Sequence, residues 1–178
     1  VDLRKELLAL HRDAALEMIA RHDLGDGRVG PLMNNKETES IGQLLGGAIA
    51  LDRSDYKTAK RYITKAREDE QLAIAADALL LRVLMASRDW TGSLQLVTDM
   101  GNRWPELPVA KREWLTRTQG GRESMTLIRA YCHFKLGQSA DLTKISNQLD
   151  GTQFQSKARL LRVADLMRAG NITEASEL

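Results

Sequence analysis

Cysteine, proline and aromatic residues are all scarce: one cysteine, three prolines and 4% aromatics in 178 residues. A single cysteine excludes an internal disulfide and fits a reducing, cytoplasmic setting. Cys132 falls in an apolar-periodic run with Leu127, Tyr131 and Leu136, so a buried thiol is its expected role, and no metal-ligand spacing surrounds it. With so few prolines, long stretches are free to be helical, and the alternating β-branched runs that strands require are missing. No apolar run approaches the roughly 18–20 residues that cross a bilayer, and no basic-then-apolar leader opens the sequence.

Catalytic constellations are missing too. Gly25-Asp26-Gly27-Arg28-Val29-Gly30 offers the glycines of a phosphate loop, but neither the preceding strand nor the Gly-Lys-Ser/Thr ending. His133 follows Cys132 directly, and successive helix residues point in different directions, so the two do not form a nucleophile and base. His11 and His22 lie three helical turns apart, too far to share a metal. No enzyme, cofactor or metal is expected. The first residue is Val1 and the last, Leu178, lies inside a helical pattern, which reads as a piece of a longer polypeptide.

What the chain does contain is helical periodicity with repeated punctuation. Residues 2–23 place Leu3, Leu7, Leu10, Ala14 and Met18 on one face, an amphipathic helix expected to cover the end of a helical stack. Residues 24–37, rich in glycine and asparagine with Pro31, read as a connector. From there Tyr56 and Trp90 stand 34 residues apart, each after an apolar helix and a polar turn ending in Asp55 or Asp89. The turns at 136–139 and 169–172 are 33 apart and use Gly137 and Gly170 as helix stops. Gly46-Gly47 inside a helix costs about 1 kcal/mol per glycine relative to alanine, which predicts close approach of a neighbouring helix. Between the second and third turns about fifteen residues, 108–122, exceed the repeat, and a short added helix over 109–118 ended by Gly120-Gly121 is predicted.

This pattern resembles the tetratricopeptide repeat (TPR), a helical hairpin of about 34 residues. The resemblance covers residues 38–178 and implies an all-α, right-handed superhelix (α-solenoid) of antiparallel helical hairpins. Leu81 and Met100 depart from its small-residue positions. Carried onto this chain, its groove would be lined by Leu44, Ala48, Leu51, Ala78, Arg82, Met85, Leu127, Tyr131, Phe134, Lys135, Lys157, Leu160, Met167 and Arg168. The resemblance implies a scaffold or adaptor that holds a peptide or partner segment in this groove. Arg82, Met85, Leu127, Tyr131, Phe134, Lys135, Lys157 and Arg168 would be the contacts. Residues 1–99 carry 14 basic against 16 acidic side chains and residues 100–170 carry 12 against 6, so an acidic partner suits the second half. The alternative is a helical-repeat nucleic-acid module using the basic 100–170 region. Val163, Leu166 and Ala175 form an apolar edge that more of a longer polypeptide or a second copy of the chain would cover.

Overall fold

The computed structural model describes residues 2–24 and 29–178, so most of the glycine loop at 25–30 lies outside the described residues. Among the described residues every regular element is helical. The chain divides into two compact units, Val1–Ser87 and Arg88–Leu178. The division falls in the turn between the two helices expected to form the second hairpin.

The first unit holds α1 (Leu3–Arg21), α2 (Val29–Met33), α3 (Glu39–Asp52), α4 (Tyr56–Ala66) and α5 (Ala73–Ala86). The stretch read as a connector thus contains a short helix, α2. At the centre is α3, against which α1, α2, α4 and α5 all pack. Consequently its residues from Ile41 to Ala48 form an unbroken buried run. The glycines of α3 permit this crowding: a Cβ at Gly47 would lie 2.5 Å from Ile63 Cγ1 of α4, and one at Gly42 would lie 2.7 Å from the Met33 backbone nitrogen of α2. Gly47→Ala is therefore expected to destabilise by about 1–2 kcal/mol although alanine is the better helix former, because overpacking exceeds the propensity gain. Urea unfolding measures the sign directly.

The face of α1 assigned from periodicity is not the one that packs. Leu3, Leu7 and Leu10 are 77%, 55% and 65% exposed, whereas Ala15 and Ile19 are buried. Two apolar ridges run along this helix, and α3 receives the one bearing the smaller Ala15 and half-buried Leu8 and Leu16.

The second unit holds α6 (Trp90–Arg103), a 3-10 turn (Trp104–Glu106), α7 (Val109–Gln119), α8 (Gly121–Leu136), α9 (Ser139–Asn147), α10 (Gln155–Arg168) and α11 (Ile172–Glu177). α7 occupies the segment beyond the repeat and ends on Gly120 at φ 77°. α8 is the hub, packed on α6, α7, α9 and α10. Ala130, Leu142 and Ile145 form a core cluster there, with Phe134 and Leu161 packed against it.

The repeated turns share one backbone solution. Ser54, Arg88, Gly137 and Gly170 adopt left-handed φ values of 61°, 61°, 72° and 81°. At three of them the same pair of bonds closes the preceding helix, as in Asp55 N–H to Ala50 O at 2.9 Å, Gln138 N–H to His133 O at 3.0 Å and Asn171 N–H to Leu166 O at 2.9 Å. This is the Schellman closure, which satisfies the last helical carbonyls and reverses the chain. Two residues later Tyr56, Trp90, Ser139 and Ile172 each open the next helix. Asp55 and Asp89 cap their helices by accepting from the Thr58 and Gly92 N–H groups at 3.1 and 2.9 Å. The Thr58 hydrogen bonds hold the Asp55 carboxyl below its ordinary range. Arginine pays the left-handed strain at a position glycine occupies freely, so Arg88→Gly is expected to raise stability by about 0.5–1 kcal/mol in thermal or urea unfolding.

Candidate functional site

The residues expected to line a groove separate into core, internal brackets and one open patch. Leu44, Ala48, Leu51 and Ala78 are buried, so they belong to the core of the first unit and line no groove. The physical reason is the full coat of helices around α3, including the unforeseen α2. Arg82 and Met85, on α5, are half-buried, and Arg82 lies 4.0 Å from Asp52 of α3.

The remaining candidates lie in the second unit. α8 carries Leu127, Tyr131, Phe134 and Lys135 at spacings that share one side of the helix. Trp90, at the start of α6, meets Tyr131 edge to face with ring centroids 5.6 Å apart. Trp90 entered the sequence reading only as a register mark, and its spacing alone did not disclose this contact. The Lys135 ammonium lies 5.1 Å from the Tyr131 ring, 5.6 Å from Phe134 and 5.8 Å from Trp90. Because a ring face is negative, such contacts fix the lysine while the residue remains exposed. The result is an apolar platform with one anchored positive charge.

Arg168 behaves differently. It forms an ion pair with buried Asp165, donates through Nη1 to the Phe134 carbonyl at 3.0 Å and lies 4.9 Å from the Phe134 ring. It therefore brackets α10 to α8 and caps the end of α8 while the residue remains exposed. Lys157 is exposed on α10, 5.7 Å from the Phe154 ring. Leu160 and Met167 on the same helix are 67% and 62% exposed, and Ile172 on α11 is also exposed. By contrast Val163, Leu166 and Ala175, expected as the bare edge, are half-buried.

Cys132 is buried in α8, and burial pushes its thiol from 9.0 up to about 11. A raised pKa means the folded state holds the proton longer than the unfolded chain. The associated stability is complete below pH 9 and is lost between pH 9 and about 11. Cys132→Ala should flatten the fall of stability with pH across that window, measured by urea unfolding at stepped pH.

Among the described residues no cluster of His, Cys, Asp and Glu is arranged to hold a metal, and no helix is long and apolar enough to cross a membrane. No protein-family model, curated protein or solved structure matches the chain. The class that fold and site define is an all-helical protein of two units, one of which presents a cationic, aromatic surface.

Proposed function

We propose that the chain is a protein-interaction scaffold, a TPR-like array whose second unit docks an acidic segment of another polypeptide. The observation that carries this reading is the exposed Lys135 ammonium set over the Trp90, Tyr131 and Phe134 rings. A carboxylate can meet the ammonium from the solvent side while a neighbouring apolar side chain rests on the rings. Leu127 on α8 and Lys157 on α10 supply further apolar and cationic contacts in the same unit. The excess of basic over acidic side chains in residues 100–170 agrees in sign with such a partner.

The recurring left-handed turns and paired helices α3–α4, α8–α9 and α10–α11 support arranging the hairpins as a right-handed superhelix, which is part of this proposal. The test is fluorescence anisotropy with labelled peptides of about 15 residues carrying Glu and Leu at alternating helical turns, against the same peptides with Lys for Glu. Binding of the acidic set alone supports the reading. Equal binding of both sets contradicts it, and binding of single-stranded RNA with a steep salt dependence in place of either set returns the nucleic-acid alternative.

A further inference from the structure

A second surface of the second unit has no part in the docking patch. Between α6, α8 and α9 lies an open cleft of about 390 Å³. Arg129, His133, Lys144, Gln148, Thr98 and Asp141 supply its polar lining, and it also has an apolar floor. Arg129 and His133 are one turn apart on α8, and the helical wheel sets them across the helix from Tyr131 and Lys135. The cleft therefore stands or falls separately from the proposed docking patch.

Three features give it a chemical preference. First, the Arg129 Nε is buried and has no hydrogen-bond partner. Native proteins rarely leave such a donor unmet, and where they do a water, ion or ligand commonly meets it. Second, Arg129 from α8 and Lys144 from α9 bring two positive charges to one cleft from separate helices, against the single carboxylate of Asp141. Third, the His133 Nδ1 lies 2.7 Å from Gln138 Oε1, a contact that fixes the ring's orientation at the cleft. Planar guanidinium and ammonium groups together suit a phosphate, whose charge is close to −2 at neutral pH. The volume lies within the range of small-molecule sites and exceeds what a bare phosphate would fill. Asp141 can accept from a hydroxyl or amine of an attached organic part.

We propose that this cleft binds a phosphate monoester, through Arg129 and Lys144 with Gln148 and Thr98 as neutral partners. The ester comes either from a small free metabolite or from a phosphorylated side chain. Calorimetric titration of the whole chain at fixed ionic strength tests it, with glycerol 3-phosphate and a phosphoserine tripeptide as the two source arms. Glycerol, the unphosphorylated tripeptide and sodium chloride serve as controls. Binding of at least one ester with Kd at or below about 1 mM is expected, with no response to the controls. The tighter arm identifies the source. Lys144→Gln, at an exposed position, should weaken that binding at least tenfold with an unchanged urea-unfolding midpoint, and Arg129→Gln should weaken it likewise. Absence of binding by both esters overturns the proposal. So does a Lys144→Gln protein that binds as the parent does, or an equal response to chloride.

Discussion

Replacing Arg67 by alanine is expected to lower the unfolding free energy of the first unit by about 2–3 kcal/mol. Asp77, on α5, is fully buried, and the Arg67 Nε at the end of α4 lies 2.6 Å from its Oδ1. Removing the arginine takes this ion pair from a carboxylate held inside the unit. Removing one partner of a buried pair typically costs about 3–5 kcal/mol, and the partial exposure of Arg67 puts this case at or below the lower end because solvent screens the pair. Arg67→Met combined with Asp77→Leu removes both charges and should return stability to within about 1 kcal/mol of the parent. Urea unfolding of the single and double variants separates the two outcomes. A single variant as stable as the parent would mean that Asp77 does not depend on Arg67.

The second large effect concerns binding. Lys135→Glu is expected to weaken capture of an acidic peptide about 30-fold, equivalent to about 2 kcal/mol, because an attraction becomes a like-charge repulsion at the centre of the patch. Lys135 is exposed, so the variant should remain folded, with stability lowered only by the lost ring contacts, about 0.5–1 kcal/mol, and the larger loss of binding can be assigned to the peptide contact. Tyr131→Phe should bind nearly as the parent does, since the ring and its edge contact with Trp90 survive. Anisotropy titrations of the three proteins against one acidic peptide measure both effects.

Much of the local structure was legible in the residues. Asp before an aromatic marked two helix starts, glycine marked two helix ends, and the excess residues between turns became α7. These features depend on capping and turn chemistry within a few residues, which a sequence displays directly. Which face of a helix is covered depends on neighbours distant in the chain, and there the reading failed. α1 has two apolar ridges, and periodicity favoured the one bearing larger leucines, although the ridge with Ala15 meets α3. Leu44, Ala48, Leu51 and Ala78 carried a family groove onto helices that other helices enclose. The Arg168 pair with Asp165, three residues apart on one helix, is visible in the sequence, whereas its bond to the Phe134 carbonyl, 34 residues away, has no local signature.

His133 drew attention only as the neighbour of Cys132, and its grouping with Arg129, Lys144 and Gln148 was hidden for a related reason. The spacing of Arg129 and His133 on α8 and that of Lys144 on α9 from Gln148 at its C-terminal cap are both one turn, a signal present in the sequence. Only the packing of α8 on α9 brings the two pairs to one cavity.

The most direct test of the docking account is a heteronuclear NMR titration of the whole chain with an acidic amphipathic peptide. The account predicts shift changes concentrated at Trp90, Leu127, Tyr131, Phe134 and Lys135, including the Trp90 indole N–H, and their disappearance in Lys135→Glu. Saturable shifts that spare these residues, or that persist unchanged in Lys135→Glu, would contradict it.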